Sequence, residues 1–575
     1  MCSKEGNVEA ALRRAGLQGR PGRALLVAVA LAGGVLLGAG PHGLLAQGAR
    51  TTPQFYPDDP LRVDDDRAFD ASGATPMELS EIYDFLQNTF GEPGDRAAVR
   101  AVNVNTLDEV PDSSWFTNRI GVRDMPLEEI RRGPNKFATL DAGEWIVVRG
   151  KSPGGFHPGF LAVHPGDPDQ IYQLEVDPPD YPQMATGAEL IGTLVYHALG
   201  YHVVDVNLIR VDPAKIRIAE TATIRDESGV RGFRRADLDG VLRLAARDAS
   251  GRVYFSASRF EEGENMGHFR YHGTRADDPN DIHPHEHRRE LRANRVFSAW
   301  LAHDDSRAIN TLDMRLAEGG RSYLRHYMYD FGATLGSATR FPDSAVSGHE
   351  YYIDKGPNLT SLVTLGFNVP PYLRARDARD IPPSAGFFTS AAFEPDRWRP
   401  NYPNAAFLNM RPDDAFWGAR LVSRFTDAMI QAIVGEVGYD DPRADDYVAR
   451  TLIERRDRIA QVWLNGVNPV VGFALSGDGT LTFANAAVDA RAATPAAGYT
   501  LQWSRFDNDT GTHEPIGEAT RVTETRGRAP SVPSGAEYIA VRVTAEHPDH
   551  PAWSEPVEGY FRREGEGWRA VGVLR

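Results

Sequence analysis

The sequence predicts an α+β protein built of two lobes, with an N-terminal extension and a C-terminal β-sandwich. Three observations predict it. Residues 144–258 fall into short alternating runs around one strongly apolar helix, the chain turns helical from Glu286, and the last hundred residues return to short alternating runs with turn signals. At 575 residues the chain is long enough for several separate cores.

Composition narrows the classes further. Apolar residues make up 41% and charged residues 25%, which is ordinary globular usage and excludes wholesale disorder. Lys and Arg number 63 against 79 Asp and Glu, for a net charge of −16. An acidic body repels a phosphate backbone, so no nucleic-acid partner is expected. Cys2 is the only cysteine, which excludes disulfide scaffolds, cysteine zinc sites and thiol catalysis downstream.

Residues 1–46 read as a signal peptide or N-terminal anchor. Arg13, Arg14, Arg20 and Arg23 precede an apolar run from Ala24 to Leu37, and small residues follow around Ala46. Cleavage makes it a secretory signal, and retention makes it a membrane anchor. Either way the rest of the chain is expected outside the cytoplasm, periplasmic or extracellular. The membrane enters only through that possible uncleaved anchor.

Residues 47–139 form a linker and helical extension, with a short helical pattern after Thr75-Pro76. Residues 140–262 form the strand-rich lobe. Trp145–Val148, Gly159–Val163 and Gln170–Val176 read as three strands, and Ala185–Leu199 as an apolar helix stopped by Gly200. Further strands near Val203–Val211 and Arg252–Ser258 bracket a helix at Ala236–Arg247. Residues 263–468 form the helical lobe. It holds a helix at Glu286–His303, a hairpin of Thr311–Leu316 and Tyr323–Tyr329 about Glu318-Gly319-Gly320, and helices at about Asp413–Val437 and Arg443–Leu464. Between them, residues 333–412 are irregular and too long for a passive connector. Residues 469–575 make the β-sandwich domain.

The chemistry-bearing segment is His303-Asp304-Asp305-Ser306-Arg307-Ala308-Ile309-Asn310, followed after the hairpin by Asp330-Phe331-Gly332. It satisfies H-x-D-x-x-x-x-N and then D-F-G. A loop after a buried helix sets one carboxylate beside an acceptor hydroxyl, an amide five residues on faces a metal, and a second carboxylate returns on the hairpin. Here the chain resembles the protein-kinase-like superfamily, in its atypical HipA-like, CotH-like and phosphoinositide-kinase-like branches, over roughly residues 140–465. The resemblance implies a two-lobed kinase-like fold that uses ATP or another nucleotide with Mg²⁺ or Mn²⁺. It implies Asp305 as the catalytic aspartate, and Asn310 and Asp330 as metal ligands. It also places Gly150, Lys151, Gly154 and Gly155 in a phosphate-covering turn and matches Glu189 to the helix glutamate that normally pairs with a lysine.

The chain departs from that family at the third strand. The place of the phosphate-binding lysine is taken by Glu175, which repels phosphate. Lys151 is the candidate substitute, because a flexible ammonium reaches phosphates from the loop side. The expectation is Mg-nucleotide-dependent phosphoryl transfer to an acceptor, protein or small molecule, in the envelope. The alternative is a pseudokinase-like binding protein with little or no catalysis. A third reading, metal-dependent hydrolysis, rests on His283, His285 and His287 as ligands, although such alternating histidines commonly cap helices.

Overall fold

The computed structural model describes residues 53–135, 140, 143–151, 157–226, 229–354, 371–374 and 381–575. The signal or anchor segment 1–46 and the turn glycines Gly154 and Gly155 lie outside the described residues. Contacts gather Phe55–Asn508 and Thr512–Arg575 into one unit. The other, Met1–Gln54 with Asp509–Gly511, lies almost wholly outside the described residues.

Within the first unit the chain is a mixed α+β protein with four sheets. The largest contains β1 (Trp145–Gly150), β2 (Gly159–His164), β3 (Asp167–Val176), β5 (Val206–Val211), β6 (Ile216–Asp226), β7 (Gly229–Gly232) and β8 (Val253–Arg259). Its order is β5-β8-β3-β2-β1-β6-β7, antiparallel throughout except for the β1–β6 pair. The sequence pattern yields β1, β2, β3, β5 and β8 but not β6 and β7. In β6 the period-two signal is broken where the pairing with β1 slips between Val147 and Arg149, so no single face stays apolar.

The apolar side of this sheet closes its own core around Trp145, Val147, Phe160, Tyr172, Leu174 and Phe255, with Leu238 and Leu242 from the helix Arg235–Arg243. The helix Met184–Leu199 belongs elsewhere. Its Ile191, Leu194, Val195 and Leu199 join a second core with the helix Arg289–Leu301, the C-terminal helices and the final strands.

Two short strands, β4 (His202–Val203) and β9 (Glu264–Asn265), flank the hairpin of β10 (Thr311–Glu318) and β11 (Arg321–Met328), in the order β4-β11-β10-β9. Gly319 and Gly320 turn it with positive φ of 58° and 81°, the mirror-type turn that matches strand twist. The helix expected at Asp413–Val437 is instead two, Pro412–Ser423 and Asp427–Gly435. Phe425 is fully buried between them, and Thr426 caps the second by accepting from the Met429 N–H. The helix Pro442–Ile459 runs on through a π-turn to Leu464.

The C-terminal region holds a three-stranded sheet, β12 (Val470–Leu475), β13 (Thr480–Asn485) and β16 (Arg526–Arg528). A five-stranded sheet combines β14 (Gly498–Asp507), β15 (Thr512–Val522), β17 (Tyr538–Glu546), β18 (Val557–Glu564) and β19 (Gly567–Leu574). The two approach closely, since a Cβ on Gly559 would lie 2.9 Å from the Phe473 ring. No helix among the described residues is long and apolar enough to cross a membrane.

Candidate functional site

Asp305 sits just past a buried helix. Arg289–Leu301 ends at Ala302 in the left-handed conformation, and Ser306 Oγ then bonds Ser298 Oγ at 2.7 Å and the His303 carbonyl at 2.6 Å, fixing the loop. His303 packs beside Phe331, and burial lowers its imidazole to about 4, so it is neutral. The Asp305 carboxylate is held from three sides. Arg307 pairs through Nε at 2.5 Å and Nη2 at 2.8 Å, Asn310 Nδ2 donates at 3.0 Å, and Asn401 Nδ2 donates at 3.3 Å.

The hairpin then brings its far end back. Thr311 pairs with Met328, and the Tyr329 N–H reaches the Asn310 carbonyl at 3.4 Å, so Asp330 emerges beside Asn310. Asp330 has φ 64° and ψ 60°, a left-handed backbone that costs a residue with a Cβ and occurs where the surroundings over-determine it. It keeps some exposed surface, yet burial, then the charges of Glu175 and Asp305, raise its carboxyl to about 6.

Glu189 enters from the helix Met184–Leu199, whose first N–H groups are capped by Asp177. The Asp177 carboxylate accepts from Ala185 N at 2.8 Å, Thr186 N at 3.0 Å and Thr186 Oγ1 at 2.6 Å. The Glu189 carboxylate accepts from the backbone N–H groups of Phe331 and Gly332. It is nevertheless pushed well above the usual carboxylate range, by burial first and then by Asp330 and Glu175. The helix can lie this close because residue 192 is glycine, where a Cβ would fall 2.4 Å from the Phe331 Cβ.

Glu175 comes from β3 and is almost fully buried. It pairs with Lys151, accepts from Gln173 Nε2 at 3.0 Å, and stands 3.3 Å from His157 Nδ1. Burial alone would raise its carboxyl, but His157 and Lys151 outweigh that and lower it to about 2. Across the strands its partner is Gly159, where a Cβ would come 2.2 Å from the Leu174 carbonyl.

Asp305, Asn310, Asp330, Glu189 and Lys151 thus meet in one cluster with Glu175. Gly150 lies at the end of β1, packed on Phe233 and Ile224 rather than lining the cluster. Pattern reading misses His157, Arg307 and Asn401. His157 could be found only from the β2–β3 register, and Asn401 lies in an irregular stretch with no periodic signal. The three histidines are engaged differently. His285 bonds Asp281 at 2.7 Å and the Arg270 carbonyl at 2.5 Å, and His287 bonds Arg292 at 2.5 Å and Asp95 at 3.2 Å. His283 stands apart, half-buried. Among the described residues no group of three His, Cys, Asp or Glu side chains is placed to hold a metal.

No family model, curated protein or solved structure matches the chain.

Proposed function

We propose that this is an exported, kinase-like phosphotransferase that uses ATP or a related nucleotide with Mg²⁺ or Mn²⁺. The observation that carries the reading is the carboxylate cluster. Asp330, Glu189, Glu175 and Asp305 crowd one cleft, and Asp330 and Glu189 are each raised partly by their neighbours' charges, so the cluster is short of cation. A divalent metal relieves that shortage. Magnesium needs only one or two protein oxygens when phosphates and waters complete its shell, so a three-residue cage is not required.

Asp330 and Asn310 would hold the metal and Lys151 a phosphate. A bound Mg-nucleotide supplies the transferable phosphoryl group and its counter-charge. Asp305 has Arg307 on both oxygens, with Asn310 and Asn401 donating as well, so its carboxylate is held in a fixed orientation. From that position it would orient or deprotonate an acceptor hydroxyl.

The two separate apolar cores, one behind the seven-stranded sheet and one among the helices, support the two-lobed kinase-like fold. The facing three- and five-stranded sheets support the β-sandwich. The basic residues and apolar run of residues 1–46 support export, with an acceptor in the envelope. Glu175 favours the second reading, a pseudokinase-like binding protein.

The test is calorimetric titration of the purified protein with ATP and Mg²⁺ or Mn²⁺, alongside Asp330→Asn. Metal-dependent binding that Asp330→Asn weakens is expected. Binding unaffected by metal or by that substitution would sink the reading.

A further inference from the structure

We propose that Lys151, His157 and Glu175 act together as one positive charge facing the phosphates, standing in for the lysine that β3 lacks. The inference rests on the phosphate-binding reading of the cleft and gives Glu175 a role in it. Glu175 offers two oxygens to two cations. Lys151 takes Oε1, and His157 Nδ1 lies 3.3 Å from Oε2.

His157 Nε2 lies 3.0 Å from the Val176 carbonyl, which only accepts, so that nitrogen carries a proton. A ring protonated at Nε2 and facing a carboxylate through Nδ1 is best satisfied as the imidazolium. The Glu175 charge favours that form strongly enough to outweigh burial. Two cations on one carboxylate leave one net positive charge. With Lys151 alone on Glu175 the pair would be neutral, and the ammonium would be tied down. With His157 on the other oxygen, Lys151 can turn to a phosphate while Glu175 keeps a partner. The trio faces the right way, because both Lys151 and His157 lower the Asp330 carboxyl and the His157 ring borders Gly332.

Charge rescue tests this, read as calorimetric affinity of the full-length protein for inorganic tripolyphosphate with Mg²⁺. His157→Gln makes the trio neutral and should weaken binding about ten- to a hundredfold, the size of a lost charge-assisted contact. His157→Gln with Glu175→Gln restores one net charge on Lys151 and should return affinity to within about threefold of the wild type. His157→Lys keeps the charge without the ring and should also bind. Glu175→Gln alone should bind at least as tightly as wild type while melting at a lower temperature, because it unpairs buried cations.

A double variant as weak as His157→Gln overturns the proposal. So does a loss of affinity in both His157→Lys and Glu175→Gln, which decides the matter even if His157→Gln does not fold. Rescue without phosphoryl transfer from ATP upholds the proposal and moves the protein to the binding-protein reading. A wild type that binds neither tripolyphosphate nor nucleotide ends both.

Discussion

Asp330 carries two costs at once, a left-handed backbone and a carboxyl raised to about 6. Its folded-state value lies above its unfolded one, so its share of stability is complete below about pH 4 and is lost as pH rises through about 6. In metal-free protein Asp330→Asn should therefore be more stable at pH 7, by roughly 1–2 kcal/mol after solvent screening and seen as a higher melting temperature, and should differ little at pH 4. Equal melting of variant and wild type at pH 7 would contradict the crowding described here. The side chains of the cluster differ in how visible they are beforehand. Asp305, Asn310 and Asp330 stand out because loop and hairpin chemistry demands those residue types at that spacing. His157, Arg307 and Asn401 do not, because each reaches the cluster through strand register or a distant irregular segment.

Among the elements, the helix Met184–Leu199 is the plainest in the sequence, with its apolar run and its stop at Gly200. What pattern reading leaves out is the reason for Gly192 inside it. Alanine is the better helix former, yet a Cβ there meets Phe331 at 2.4 Å. Gly192→Ala should thus cost about 1–3 kcal/mol in urea unfolding, the usual result of overpacking, and should weaken the proposed Mg-nucleotide binding by displacing Phe331 from Glu189. A variant as stable as wild type would mean that the helix and Phe331 part freely. The missed strand β6 and the helix break at Phe425 have the same kind of cause. In both, a tertiary contact or a slipped register overrides the local period.

At the scale of the molecule, the extension is bound to the helical core by charge. Arg289, fully buried, reaches Asp108 at 2.7 Å, Asp413 at 2.9 Å and Asp414 at 3.1 Å, so one guanidinium joins the extension to the helix Pro412–Ser423. Arg289→Ala strands these carboxylates and should cost about 3–5 kcal/mol. Limited proteolysis should then cut first within residues 55–135, and an unchanged cleavage pattern would refute that linkage. No local pattern announces such a network, since each carboxylate is more than a hundred residues from Arg289. The division of the core has a consequence of its own. Glu175 travels with the sheet, while Glu189 is rooted in the helical body. On the proposed reading, a metal held by Asp330 and a polyphosphate held by the Lys151–His157–Glu175 trio would bridge these separately packed masses. Such a bridge would lock two bodies that otherwise pack independently, and small-angle scattering should then register a contraction when a divalent ion and polyphosphate are added.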